Sequence, residues 1–296
     1  MLYRVRHITT YEYSKRVLSS QHVLRLRPRL TDNQVCSSSE VAMSPAPQRR
    51  TARDDYFGNR MEMVTLEEPH EEMTIDAQSV VRVTKRRPRD LENTMAWEGI
   101  GDALSGARAD AEIEAAQFLF DTKLTRAEQD LIAYAKADFT PGRPVALAAR
   151  DLMNHIRRDI KYKPGVTDVS TPVDRVLEIK GGVCQDQSHV MLAVLRAHGI
   201  AARYVSGYLM TRPPPGRPKL QGADQSHAWV SVWCPPLGWI DYDPTNGILP
   251  DDEHITLAYG RDYSDISPIS GVMLGGGEHE VDVSVDVAPV EEANAA

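Results

Sequence analysis

A chain of 296 residues, 42% hydrophobic and 26% charged, has the composition of a folded globular protein with one large or two ordinary domains. No apolar run approaches the roughly 18 residues of a membrane helix, and the N-terminus MLYRVRHITTYEYS alternates without an apolar signal core; no membrane helix is expected, and the cytoplasm is. The net charge of -8 divides into +5 over residues 1–89 (16 Lys/Arg against 11 Asp/Glu) and -13 over the remainder (18 against 31), so two mutually attracting units are expected.

Residues 2–13, 22–27, 61–66 and 73–83 alternate polar and apolar side chains, as in Leu24 and Leu26 against Arg25 and Arg27. Turn-rich pieces (SPAPQRR, DDYFGNR) separate them, so the period-2 runs predict an antiparallel β-sandwich over residues 1–85. Its arginines read as the wet face of a sheet rather than a nucleic-acid surface. The basic, Pro-containing TKRRPRD at 84–90 reads as a linker, and residues 86–120 as a linker or irregular segment. From Thr125 the period becomes helical. Thr125 and Glu128 make a T-x-x-E capping box for a helix to about residue 137. A second helix starts near Pro144, with Val145, Ala148, Ala149, Leu152 and Ile156 on one face. A third begins at Thr171-Pro172, and a fourth runs from Cys184 to a stop at Gly199. Strands follow at 200–210, 227–233, 239–243 and 280–287, with a Pro/Gly-rich loop at 211–226 read as a gate beside His227. Helices first and strands afterwards make this second unit, residues 121–290, α+β. Residues 291–296 read as a disordered tail.

Three cysteines, Cys36, Cys184 and Cys234, form neither an even framework nor a CxxC pair, which again points to a reducing compartment. Cys184 differs from the others in context. It follows Gly181-Gly182 and falls in the first turn of a helix, where unpaired N–H groups and the positive dipole end stabilise a thiolate. The same N–H groups suit the oxyanion of an acyl transfer. The bland alternative is a small buried residue.

A thiol nucleophile wants a base, and the base an orienting acceptor. In HAWVSVWCPPLGWIDYDPTN, a five-residue hairpin loop over 234–238 sets Trp233 opposite Trp239 and Ser231 opposite Asp241. His227 and Asp243 then become diagonal neighbours on one face, about 7–8 Å apart at Cα. A one-residue slip would separate them. Asp243-Pro-Thr-Asn is equally a good turn.

The run G-G-V-C-Q-D, G-I-A-A-R-Y-V-S-G-Y, H-A-W-V, G-W-I-D-Y-D-P-T-N resembles the transglutaminase-like superfamily of papain-type cysteine enzymes, in this chain order. YRVRHITTYEYS, D-Y-F-G-N and GRDYSDISPISG are similar to the bacterial transglutaminase-like subgroup. The resemblance implies a papain-like core of helices packed on an antiparallel sheet, with Cys184 as nucleophile, His227 as base and Asp243 as orienter. It implies acyl transfer on peptide or protein amides through a thioester: hydrolysis as by a peptidase or amidase, or isopeptide cross-linking as by a protein-glutamine gamma-glutamyltransferase. The calcium-requiring domains of animal members have no counterpart, so neither metal nor cofactor is expected. A non-enzymatic peptide-binding or scaffold module is the competing class.

Asp186 and His189 lie about 200° and 140° round the helix from Cys184 and are not its base; Asp186 reads as a cap or loop contact. A zinc site from Cys184, His189 and His227 lacks paired ligand spacing. Tyr162, Tyr208 and Trp229 are weak candidates for the substrate groove.

Overall fold

The computed structural model describes residues 1–87, 89–211 and 224–290. The alternating N-terminal segments form β1 (Leu2–Leu24), β2 (Gln34–Ser44), β3 (Arg49–Asp54), β4 (Arg60–Leu66) and β5 (His70–Val83). Short helices follow: α1 (Ile100–Ser105), α2 (Asp110–Ala116) and α3 (Leu131–Tyr134). Then come α4 (Val145–Asp159), β6 (Lys161–Tyr162), α5 (Val173–Ile179), β7 (Gly181–Gly182) and α6 (Cys184–Ala197). The chain closes with β8 (Ala202–Leu209), β9 (Gln225–Trp233), β10 (Trp239–Tyr242), β11 (His254–Gly260), α7 (Tyr263–Ile266), β12 (Ile269–Gly275) and β13 (His279–Pro289).

The architecture is α+β, with an N-terminal antiparallel β unit and a helix-packed core. The β unit is one curled sheet, ordered β2-β5-β1-β4-β3, with β12 and β13 added along β1. β1 is long enough to serve two sets of neighbours. Residues 3–13 pair with β13, and residues 17–24 with β12. The last two strands of the expected unit 121–290 thus pair within the N-terminal sheet. The valines of EVDVSVDV alternate as expected, and Val285 and Val287 are buried beside Tyr3, Val5, Val81 and Val83. Those side chains join the residues of α4, α6 and the core sheet in one apolar cluster. At about 1.5–3 kcal/mol per fully buried aliphatic or aromatic side chain, this shared core binds the two units together.

The expected charge attraction is met at the junction. Arg86 donates to Asp241 at 2.8 Å, its backbone N–H donates to Asp251, and Arg89 donates to the Trp239 carbonyl. The expected linker is thus docked on the core, and residues 97–119 hold short helical turns rather than irregular chain.

The core sheet is antiparallel, ordered β10-β9-β8-β11, and α6 packs against β9 and β8 with residues 185–196 buried. The T-x-x-E box at Thr125 does not start a helix. Thr125 Oγ1 accepts from the Thr122 N–H and from the buried Arg196 guanidinium, while Glu128 N–H donates to Asp174. Arg196 also donates to the carbonyls of Phe118, Ala202 and Arg261. A tertiary partner has taken the capping hydroxyl, and Asp130 caps the short α3 instead. The gate proposed for 211–226 falls mostly on residues 212–223, and the tail on 291–296; both lie outside the described residues.

Candidate active site

Cys184 opens α6, as its sequence context predicts. The turn is built by Asp186, whose Oδ2 accepts from the Val183 N–H and from Thr167 Oγ1, both at 2.7 Å. A Cβ on Gly182 would lie 2.5 Å from that oxygen, so the close approach of the carboxylate excludes any side chain there. Asp186 is therefore a helix cap and a loop contact together. The first-turn N–H groups of α6 have no intrahelical acceptor and face the same end of the helix as Cys184. Cys184 and Cys36 are half-buried and Cys234 is buried; burial pushes the thiols of Cys36 and Cys234 up, the latter to about 12.

The hairpin register is the one read from the loop length: Trp233 pairs with Trp239 and Ser231 with Asp241. The Cys234 and Gly238 backbones close the loop. His227 Nε2 consequently donates to Asp243 Oδ2 at 2.8 Å. Asp243, wholly buried, divides its two oxygens between two tasks. Oδ1 accepts from the Thr245 and Asn246 N–H groups and makes the turn; Oδ2 accepts from His227, from Asn246 Nδ2 and from His254 Nε2 at 3.2 Å. Turn chemistry and imidazole orientation are both properties of this one residue.

A carboxylate only accepts, so both histidines carry hydrogen on Nε2. Burial alone pulls the His227 pKa down, but hydrogen bonds to Asp243 and Cys184 and their charges push it up to about 10. Burial would raise the Asp243 pKa, and the hydrogen bonds from His227 and His254 hold it far below the carboxylate range. His227, Asp243 and His254 also bring three potential ligand atoms within 4.8 Å of one another. Two hydrogen bonds to one carboxylate oxygen account for that approach. His189 is apart from this group: its Nε2 accepts from the Tyr263 N–H, and burial pushes its pKa down to about 4.

Cys184 and His227 line one cavity of about 310 Å³, with Gln185, Tyr204, Ser206 and Tyr263. Its far wall comes from the N-terminal sheet: His7, Thr9 and Tyr11 of β1, and Val281 and Val283 of β13. Of the three weak groove candidates, none lines this cavity. Tyr162 is exposed on β6 beside Gly182, and its pKa is raised by burial and by the charge of nearby Cys184. Tyr208 is buried, with its hydroxyl bonded to His7 Nδ1 at 2.8 Å. Trp229 is buried under β8, its indole meeting His254 edge-on at 5.3 Å. A Cβ on Gly207, which pairs with His227, would lie 2.2 Å from the Ile255 carbonyl and 2.4 Å from that indole. Gly207→Ala is expected to cost about 2–3 kcal/mol in urea unfolding, because backbone and a buried ring must both yield. A cost under about 0.5 kcal/mol would show that this layer repacks freely.

His254 went unseen in the sequence. β11 is buried along its whole length, so HITLAYG offers no alternation by which to assign a face. Its only local signal is a histidine at the start of an otherwise apolar strand.

Residues 3–82 match the family model of the bacterial transglutaminase-like N-terminal region, and residues 133–244 that of the transglutaminase-like superfamily. An uncharacterized protein of Mycobacterium tuberculosis is 39% identical over 98% of this chain and 93% of its own length. A protein-glutamine gamma-glutamyltransferase of Pseudomonas aeruginosa is 35% identical over 111 residues, 36% of this chain and 17% of its own. The solved structure of a candidate cysteine protease from Cytophaga hutchinsonii has the same fold, with a TM-score of 0.77 over 99% of this chain and 92% of its own at 19% identity. The cytoplasmic expectation is withdrawn; the periplasmic domain of TgpA of Pseudomonas aeruginosa is among the similar solved structures (TM-score 0.38, 17% identity, 83% of this chain, 87% of its own). Cys36, Cys184 and Cys234 are all free thiols. Among the described residues no helix is long and apolar enough to cross a membrane. With both halves of the chain matched in order, and a full-length relative at 39% identity, this protein belongs to the bacterial transglutaminase-like superfamily.

Proposed function

We propose that this chain is a cysteine-dependent acyltransferase acting on amide bonds of peptides or proteins, with water as the usual acceptor. One observation carries the reading. Asp243 engages Nε2 of His227, which leaves Nδ1 for the Cys184 thiol across a shared cavity. His227 takes the thiol proton through Nδ1 while sulfur attacks the amide carbonyl. The oxyanion is met by the first-turn N–H groups of α6. His227 then returns the proton to the leaving amine, the C–N bond breaks, and a thioester remains on Cys184. Water, deprotonated by His227, releases the carboxylic acid and restores the thiol. Half-exposed Val281 and Val283 on the cavity wall keep the thioester within reach of water, which favours hydrolysis.

A lysine amine in place of water gives an isopeptide bond. The partial similarity to a protein-glutamine gamma-glutamyltransferase favours this second reading. Casein offered together with a fluorescent primary amine separates the two. The expected result is new peptide termini or free ammonia in excess of amine incorporation, with a casein-derived acyl group trapped on Cys184 by mass spectrometry. Both readouts vanish in Cys184→Ala. Amine incorporation in excess would make the chain a cross-linker, and turnover retained by Cys184→Ala would remove the cysteine mechanism.

A further inference from the structure

The role of the N-terminal sheet follows from how β13 meets β9. β13 lies at the edge of its sheet, pairing with β1 along residues 279–289. The amide at even-numbered Val290 turns towards β1, where its N–H donates to the Leu2 carbonyl at 2.8 Å. Odd-numbered amides turn outward: the Val285 carbonyl accepts from the Asp224 N–H at 3.1 Å, and the Val287 N–H donates to Asp224 Oδ2. Asp224 thus clips the outer edge of β13 immediately before β9 begins. From there β9 leaves β13 and pairs with β8, Ser226 opposite Tyr208 and His227 opposite Gly207. The two strands part as a wedge.

The wedge opens onto the candidate site. Val281 and Val283 line one flank, Ser226 and His227 the other, and Cys184 stands in the same cavity. A strand repeats every two residues, so the outward amides of Val283 and Val281 continue the line begun at Val287 and Val285. Among the described residues no hydrogen bond occupies them. Tyr11 and Ile269 extend the wall with apolar surface. A row of open amides beside an apolar wall is what an extended peptide adds to as a further strand.

We infer that the acyl half of the substrate, the peptide segment preceding the attacked carbonyl, adds as a strand to the outer edge of β13 at Val283 and Val281, which makes the N-terminal sheet half of the substrate site. This deepens the proposed function and rests on Cys184 being the nucleophile. The acyl half stays attached through the thioester while the amine departs, so several backbone bonds in a row suit it. Apolar side chains in this segment are expected to pack on Tyr11, Val281 and Val283.

The test uses apolar tripeptidyl and tetrapeptidyl chloromethyl ketones, which alkylate the thiol with loss of chloride. A set methylated at one amide nitrogen at a time is compared with the parent, reading Cys184 modification by mass spectrometry. Strand addition predicts a period of two: methylation at alternate amides slows labelling about tenfold, and methylation at the amides between them leaves it unchanged. Val283→Pro removes one outward N–H from an edge strand and spares the ladder to β1. It should slow the parent reagent about tenfold and leave the rate with iodoacetamide unchanged. Equal rates across the methylated set, or a parent rate unaffected by Val283→Pro, overturn the inference. Iodoacetamide serves as the independent control. If it labels Cys184 slowly and equally in wild type and His227→Ala, the catalytic reading fails, while the methylation pattern still reports on the edge.

Discussion

His227→Ala is expected to lower amide turnover about a thousandfold, within the range for loss of a general base, while the protein stays folded. The two halves of this expectation have separate causes. In the proposed mechanism, removing the imidazole takes away the group that accepts the Cys184 proton and returns it to the leaving amine. It does not strip Asp243, which keeps His254, the Asn246 side chain and the N–H groups of Thr245 and Asn246 as donors. The carboxylate therefore remains satisfied in its buried site, and the 243–248 turn should hold. Iodoacetamide should also label Cys184 at least tenfold more slowly at pH 7 in the variant, because the thiol loses the base it is hydrogen-bonded to. Cys36 and Cys234 serve as internal references in the same digest. Turnover within tenfold of wild type, in a folded variant, would mean that another group handles the proton. His189 is poorly placed for that task, since its Nε2 is engaged by Tyr263 and it lies off the Cys184 face of α6.

Much of this site was legible in the sequence because it is local. The 234–238 loop length sets the β9–β10 register, and the register alone brings His227 to Asp243. Gly181-Gly182 before an apolar helix gives the Cys184 position, and the Asp186 cap is its direct consequence. What escaped is what depends on distant chain. The tail strand 279–289 announces its alternation but not its partner, and its pairing with β1 spans nearly the whole protein. The cavity wall of Tyr11, Val281 and Val283 was therefore invisible, and so was the wedge at Asp224. Tyr208 and Trp229 carry the right chemistry for a groove but face the interior, because β8 and β9 are covered on both faces. The capping box at Thr125 failed for the same reason, its hydroxyl being claimed by Arg196 from another helix.

Asp243 gives the largest combined effect on stability and activity, and two substitutions separate its tasks. Asp243→Ala deprives five donors at once, all in or beside a buried turn, and is expected to cost about 3–5 kcal/mol. Asp243→Asn keeps a carbonyl oxygen for the Thr245 and Asn246 N–H groups but offers an N–H₂ where Oδ2 accepted from His227. A donor facing a donor disfavours the tautomer that leaves Nδ1 free for the thiol. Turnover should therefore fall about a thousandfold in Asp243→Asn while only about 1–3 kcal/mol of stability is lost. The pH dependence carries its own signature. The fold raises the His227 pKa from 6.5 to about 10, so this contribution is complete below pH 6.5 and disappears as pH rises through about 10. The fold depresses the Asp243 pKa below 3.8, so that contribution is complete above pH 3.8 and disappears as pH falls further. In Asp243→Asn the carboxylate is gone and, of the partners that raise the His227 pKa, only Cys184 remains. The stability difference between wild type and Asp243→Asn, measured by urea unfolding, should be widest from about pH 4 to 6.5 and narrow on both sides. A difference that stays constant from pH 3 to 10 would mean that Asp243 serves the turn alone, and the assignment of orienter to this residue would fall with it.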